Sequence, residues 1–389
     1  MSVTAARGFE AGGLASGIKP DGAPDLAIVT TADRAAVPAA GVFTSNRACA
    51  APVQVSRRHL GDGRAAAVVL SSGNANAATG DRGRADALRM AALTAEGIGC
   101  ATADVLVCST GLIGYELPIG ALESGIPKLA ADLNGAEAAA GAILTTDTVR
   151  KEAVATIRGT TATVGGMAKG AAMLAPAMAT MLAVLTTDAV VGPDDLGVAL
   201  GRAVDESFNQ LCVDACQSTN DTVLVLAGGA SGADVGGPGT AALTDALTEV
   251  CASLAEQMAR DAEGATKLAR VTVRGAASSE DARRAARSVA GSQLVQCSLN
   301  GGDPYWGRVL SELGVSGAEL DPEAVDISYN GVTNCRHGVA APHDATALAA
   351  EMQGREIHIE CDLHLGSATA TMLFTDLSHA YIDENRGTS

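Results

Sequence analysis

Residues 165–184 read GGMAKGAAMLAPAMATMLAV and hold one lysine, Lys169, and one hydroxyl, Thr180, in an otherwise small and apolar run. A threonine hydroxyl is a poor nucleophile until a nearby base takes its proton. Cleavage of the peptide bond between Ala179 and Thr180 would create that base in one step, because a free α-amine has a pKa near ~7.7–8.0. The small residues around the bond leave the chain room to bend, so that the hydroxyl can attack its own preceding carbonyl. Uncut, the same threonine is an ordinary buried residue of a strand or helix turn. A membrane span is the weaker reading, since Pro176 interrupts the apolar run 170–185 and a spanning helix needs ~20 apolar residues.

Three other places, and Lys169 itself, hold residue types that can do chemistry. Ser109-Thr110-Gly111 ends an apolar run. A Thr-Gly pair just past a strand can aim a hydroxyl and a backbone N–H at one point, which is what an oxyanion hole needs; it can equally be a turn. Residues 142–148 (AILTTDT) place three threonines and an aspartate at an expected strand end, where they can bind a polar substrate or cap a turn. Lys169, if buried, needs an anion, which a substrate carboxylate would supply; otherwise its stem carries the ammonium to the surface. Glu263, next to Gly264, is either a solvated helix-end charge or the complement of a substrate ammonium group.

Composition narrows the classes. The 389 residues are 47% hydrophobic but only 2% aromatic, so the core must be built from Ala, Val, Leu and Ile. A net charge of −17 argues against a nucleic-acid partner, which requires a basic face. The first twenty residues carry Arg7, Glu10 and Lys19 and no apolar stretch of the signal-peptide kind. Nine scattered cysteines fit reduced thiols better than a disulfide framework. Cys212 and Cys216 are four apart, but no second pair or neighbouring histidine completes a zinc set. No glycine-rich phosphate loop lies between a strand and a helix, so neither a metal nor a cofactor is expected.

The elements that must position these residues alternate along the chain. Strands are predicted at 25–30, 41–46, 65–71, 105–108, 181–189, 211–213, 223–227, 271–274, 325–332 and 357–363, and a hairpin at 151–165 with Gly159 in its turn. Helices are predicted at 82–97 with Gly97 as the stop, and at 118–140, 194–208, 240–261, 279–290 and 344–352. The pattern is that of an α/β protein.

Several stretches resemble one family over nearly the whole chain. KGAAMLAPAMATML (169–182) is similar to the self-cleavage motif of the ornithine acetyltransferase family, the bifunctional arginine-biosynthesis acetyltransferases, which usually reads KGxGMxxPxxATML. GNANAATG (73–80), STGLIG (109–114), TTDT (145–148), STNDT (218–222), DAEGATK (261–267) and GDPYWGR (302–308) also resemble family motifs. Ala172 stands where a Gly is usual, Tyr305 replaces an Asn, and residues 215–217 differ from the family ahead of STNDT.

The resemblance implies an α/β fold of stacked sheets flanked by helices, an αββα-type sandwich of the self-cleaving N-terminal-nucleophile kind. A catalytic domain would span 1–275 and a smaller β/α subdomain 276–389. The family cuts itself before the nucleophile, here between Ala179 and Thr180, giving an α chain (1–179) and a β chain (180–389) that assemble as an α2β2 heterotetramer. By position Thr110 and Gly111 inherit the oxyanion hole. Thr145, Lys169, Thr180, Glu263, Asn385 and the terminal Ser389 inherit substrate contacts; Thr146 competes closely with Thr145, and the tail after Asn385 is one residue short of the family's. The implied activity is ping-pong acetyl transfer from N2-acetylornithine to glutamate in the cytoplasm, without nucleic acid or membrane. A second use of acetyl-CoA, and an autoprocessing aminopeptidase or amidase of related fold, stay open.

Overall fold

The computed structural model describes residues 2–175 and 181–386. Ala179, Thr180 and Ser389 therefore lie outside the described residues.

The chain opens with an antiparallel pair, β1 (Phe9–Leu14) and β2 (Leu26–Thr31), and then sends β3 (Val37–Phe43) into a second sheet. After α1 (Ala51–His59) and the short β4 (Arg64–Ala65), β5 (Ala67–Asn74) returns to pair with β2. Helix α2 (Gly80–Ile98) crosses to β6 (Val105–Leu112), which runs parallel to β5. Helices α3 (Ile119–Ala131) and α4 (Ala136–Ala142) lead to the hairpin β7 (Lys151–Thr156) and β8 (Thr163–Lys169). Strand β9 (Leu182–Thr187) pairs antiparallel with β8, and after α5 (Pro193–Asp205) and the short β10 (Leu211–Cys212), β11 (Thr222–Ala227) runs parallel to β9. The first sheet has the order β1-β2-β5-β6 and the second β4-β3-β11-β9-β8-β7.

The two sheets stack, and their side chains say why. Val68, Leu70, Leu106 and Cys108 of the first sheet meet Met167, Leu182, Val184, Leu224 and Leu226 of the second in one buried cluster. The alternate residues, such as Val69, Val105 and Val107, turn the other way onto α1, α2 and α3. Ala183, Leu185, Val223 and Val225 likewise face α5 and the following long helix, α6 (Thr240–Arg260). Strands buried on both faces have no polar side to show, so β2, β9 and β11 read as continuous apolar runs. Each such Val or Leu contributes roughly 1.5–3 kcal/mol through burial. The result is an αββα sandwich.

The remaining elements form a smaller β/α unit. In chain order they are β12 (Leu268–Ala276), α7 (Ser279–Gly291), α8 (Gln293–Asn300), α9 (Trp306–Val315), β13 (Asp326–Tyr329), β14 (Val332–Arg336), β15 (Val339–Ala340), α10 (Ala345–Glu351), β16 (Glu356–Asp362), β17 (Ala368–Thr375) and α11 (His379–Glu384). The third sheet runs β10-β17-β12-β16-β13-β14-β15, so its first strand in the chain is lent by the sandwich. Its β12 begins at Leu268, ahead of the boundary expected near 275. Trp306 packs against this unit's core, whereas Tyr305 is exposed beside Arg308.

Some local expectations need correction. Helix α2 does not stop at Gly97 but at Gly99, which takes the left-handed conformation (φ 83°). Gly97 is instead a packing glycine, since a Cβ there would stand 2.7 Å from Ala130 of α3. The helix expected over 118–140 is two helices, broken where Gly135 has φ 113°. Residues 143–148 follow a helix and not a strand. The single strand expected at 325–332 is the hairpin of β13 and β14, turning at Asn330 (φ 46°) and Gly331 (φ 80°), a pair of positive φ values suited to a tight hairpin. Helix α1 is not among the elements predicted from the sequence.

Gly13 of β1 lies under α4, where a Cβ would sit 2.2 Å from the Ala138 carbonyl oxygen. Backbone cannot give way cheaply there. Gly13→Ala is expected to destabilise the fold by about 1–3 kcal/mol, read as a lower urea midpoint with an unchanged slope.

Candidate active site

The carboxyl ends of parallel strands leave backbone groups facing a crevice, and β6 ends on Thr110, Gly111 and Leu112. Thr110 is buried. Gly111 has φ 128°, and a Cβ on it would be 2.3 Å from the Gly73 carbonyl carbon, so no other residue fits. The turn after β5 is built to hold this strand end. Asn74 donates its amide to the carbonyls of Tyr115 (3.3 Å) and Glu116 (3.1 Å) beyond β6, and accepts the Asn76 N–H at 2.8 Å. Asn76 in turn donates to Gly83 O at 2.9 Å, fixing the first turns of α2.

Across the crevice, β8 ends on Lys169, whose ammonium is buried and makes no hydrogen bond among the described residues. Its nearest anion is Asp147, at 3.8 Å. Asp147 is the hub of this corner. It accepts Lys151 Nζ at 2.7 Å and the Gly170 N–H at 2.7 Å on one oxygen, and the Thr145 N–H at 3.2 Å on the other. Lys151, fully buried, also donates to Asp261 at 2.5 Å. Burial alone would raise the Asp147 carboxyl, but Lys169, Lys151 and the two hydrogen bonds outweigh it and hold it down at about 2. Burial lowers the Lys169 ammonium, with Lys151 adding to the fall and Asp147, Glu263 and Asp221 opposing it.

The third wall comes from the loop after α6 and from the C-terminus. Glu263 is buried and its N–H donates to Ala171 O at 2.9 Å. Gly264 (φ 63°) lets α11 close in, since a Cβ there would meet the Tyr381 nitrogen at 2.2 Å. Docked so, α11 is capped by Asn385, whose amide donates to Glu263 Oε2 at 2.7 Å. Tyr381 reaches Asp214 at 3.2 Å, and the other donor on that carboxylate oxygen is the Met173 N–H at 2.6 Å.

One cavity of about 130 Å³ is lined by Thr110, Gly111, Thr145, Lys169, Glu263 and Asn385, together with Thr146, Ala172 and Met173. The structure thus brings together every candidate residue that it describes; Thr180, Ala179 and Ser389 fall outside the described residues. Both threonines of the 145–146 pair line the cavity. Tyr305 does not. Chemically, the cavity offers a hydroxyl and a glycine N–H on one side, and a buried ammonium and a buried carboxylate on the others. That set suits a small zwitterion with an acyl carbonyl. Sequence reasoning noted the aspartate of TTDT, Asp147, beside its threonines but gave it no role of its own, and it passed over Lys151 and Asp221. Lys151 stands between Arg150 and Glu152 and Asp221 in the polar segment QSTNDT, so no local pattern marks either. Among the described residues no group of His, Cys, Asp or Glu could hold a metal, and no helix is long and apolar enough to cross a membrane.

Comparison with known proteins adds to this geometry. The family model described as the ArgJ family matches residues 10–387. The chain is 48% identical to the arginine biosynthesis bifunctional protein ArgJ of Mycobacterium leprae, over 99% of this chain and 95% of that one. It is 47% identical to the protein of the same name from Streptomyces coelicolor, over 99% of each. Among solved structures, the arginine biosynthesis bifunctional protein ArgJ of Bacillus halodurans matches with a TM-score of 0.50 at 34% identity, covering 52% of this chain and 96% of that one.

Its lysine partners hold the Asp147 carboxyl down at about 2, below the ordinary 3.8 of an aspartate. An acid depressed in this way contributes stability that is present above about pH 4 and lost as pH falls toward 2. Asp147→Asn is expected to remove that acid dependence. It is also expected to cost about 3–5 kcal/mol near neutral pH, because two buried ammonium groups lose their shared anion. Denaturant melts of wild type and variant at pH 7 and pH 3 check both.

Proposed function

The chain belongs to the ArgJ family, and from that premise we propose its reaction in detail. It is an acyltransferase of arginine biosynthesis. We infer that it moves the acetyl group of N2-acetylornithine to glutamate in two halves, through an acetyl ester on Thr180. The Thr180 hydroxyl attacks the acetyl carbonyl while the α-amine of the same residue takes its proton. Thr110 and the Gly111 N–H face the oxyanion of the tetrahedral intermediate. Collapse breaks the amide bond, and the departing ornithine nitrogen takes the proton back from the Thr180 ammonium. Glutamate's amine then attacks the ester, and N-acetylglutamate leaves with Thr180 restored. Lys169 holds the substrate α-carboxylate, while Glu263, steadied by Asn385, takes the ammonium at the far end of ornithine. Thr145 lines the path between them, and Ser389 adds a further substrate contact by its likeness to the family tail.

The observation that carries this reading is the convergence of Thr110, Gly111, Thr145, Lys169, Glu263 and Asn385 on one cavity. Self-cleavage between Ala179 and Thr180 is supported by the solved Bacillus halodurans chain, which is only about half as long as this one. The strand order supports the two pieces staying together. In the second sheet β9 and β11, which follow the cut, lie between β3 and β8, which precede it. The pieces would share one hydrogen-bonded sheet, and we infer an α2β2 assembly of such pairs, each with a catalytic sandwich over about 1–275 and a subdomain over 276–389. The word bifunctional in the relatives' names favours a second reading beside the first, acetylation of glutamate from acetyl-CoA. Turnover of acetyl-CoA and glutamate without acetylornithine would decide it.

Intact mass of the purified protein is expected to show two species broken before Thr180, and Thr180→Ala a single inactive chain. Initial rates with both substrates varied should give parallel double-reciprocal lines; intersecting lines would exclude the acetyl-enzyme. Thr110→Ala, by removing one oxyanion donor, should lower kcat about 10²–10³-fold while Thr180 remains acylated on long incubation with acetylornithine.

A further inference from the structure

Strand β11 is entered through Ser218-Thr219-Asn220-Asp221-Thr222, a segment the reaction above does not use. Two adjacent buried side chains in it reach opposite ways. Asn220 donates its amide to Ala75 O at 2.6 Å and to Ser109 O at 2.8 Å, the latter being the carbonyl just before Thr110. Asp221 accepts the Met181 N–H on Oδ1 at 2.9 Å, and Met181 is the residue after Thr180. The backbone repeats the second link, with the Thr222 N–H donating to Met181 O at 3.1 Å. The end of β6 and Met181, which leads into β9, are therefore tied to the same two neighbouring residues.

The other oxygen of Asp221, Oδ2, is buried and has no hydrogen-bond partner among the described residues. The nearby Thr44 hydroxyl donates to Ser218 O at 2.8 Å instead, and the Ser218 hydroxyl accepts the Asn220 N–H at 3.0 Å. An unsatisfied buried oxygen is costly and calls for an explanation. Lys169 of β8 is the charged group that faces Asp221, with Asp147, Lys151 and Glu263 around that lysine. Burial pushes the Asp221 carboxyl up to about 8, opposed by the Met181 N–H, Lys169 and the two hydroxyls. Cleavage before Thr180 would turn a peptide nitrogen with one hydrogen into an amine with two or three, adding donors next to Met181 where an acceptor is free.

We propose that Asp221 is a positioning residue for Thr180, holding it through the Met181 N–H and accepting a hydrogen bond from its freed α-amine on Oδ2, while Asn220 holds the Thr110 strand in register with it. The inference rests on the self-cleavage reading. Asp221→Asn keeps an oxygen for the Met181 N–H but replaces Oδ2 with a donor; Asp221→Ala removes both. Asp221→Ala is expected to cut itself at least 100-fold more slowly, followed by intact mass over time. Asp221→Asn is expected to cut but to transfer acetyl at least tenfold more slowly, in kcat, with KM for acetylornithine within twofold. In the cut protein the freed ammonium would favour the Asp221 carboxylate beside it, so removing that charge in Asp221→Asn should also move the acid limb of the kcat–pH profile to lower pH. Variants that fold, cut and transfer within twofold of wild type overturn this inference alone. A fall in kcat with an unmoved acid limb makes Asp221 a packing residue and overturns it too. A folded wild type that stays uncut overturns the inference together with the reading it rests on. Should Asp221→Ala fail to fold, the pH profile of Asp221→Asn decides.

Discussion

A charge can be buried only beside an opposite charge or strong hydrogen-bond partners, and the site corner of this protein is arranged around that constraint. Lys151 and Lys169 are both buried at the ends of one hairpin, and Asp147 lies between them. Satisfying the lysines fixes more than their own positions. Asp147 also gathers the N–H groups of Thr145 and Gly170, so the loop after α4 and the chain leaving β8 are tied to one carboxylate. Asp261 joins through Lys151 and brings the end of α6 to the same place. Lys169 alone is left with a distant ionic contact, and that shortfall points its ammonium at the cavity.

Two stacked sheets supply the stage on which this happens. Each strand turns alternate residues toward the opposite sheet and toward a helix layer, so shifting a strand by one residue would exchange the two cores. That locks the register of β6 against β5 and of β9 against β11, and with it the level at which Thr110 and the start of β9 stand. Close glycine contacts finish the alignment: Gly111 lies on Gly73, and Gly264 on the backbone of Tyr381. The C-terminal helix adds Asn385 only because that second contact has no Cβ in the way.

Much of the architecture was legible in the chain itself. Fully apolar runs such as 223–227 can only be strands or helices buried on all sides, and their length and flanking turns select strands. The hairpin with Gly159 in its turn and the long helix over 240–260 also read directly from pattern. Elements whose signal depends on a neighbour did not. Gly97 looks like a stop signal and is a contact point for α3, and the Asn330–Gly331 turn was hidden inside what read as one strand.

The site divides the same way. Lys169 and Thr180 stand out as the polar residues of an apolar run, whereas the resemblance to family motifs, and not the local residue types, singles out Thr110, Gly111 and Glu263. Local sequence could not decide whether Lys169 escapes to solvent along its stem, since that depends on what covers it; Asp147, Asp221 and Glu263 come from separate loops and do so only in the fold. Nor could it show that Asn220 and Asp221 bridge to Ser109 and Met181, 111 and 40 residues earlier in the chain. The sequence by itself determined which groups are chemically able to act and which strands must be buried. Tertiary structure alone decided which of those groups meet, because desolvation and hydrogen-bond satisfaction are settled by neighbours that are distant along the chain and adjacent only after folding.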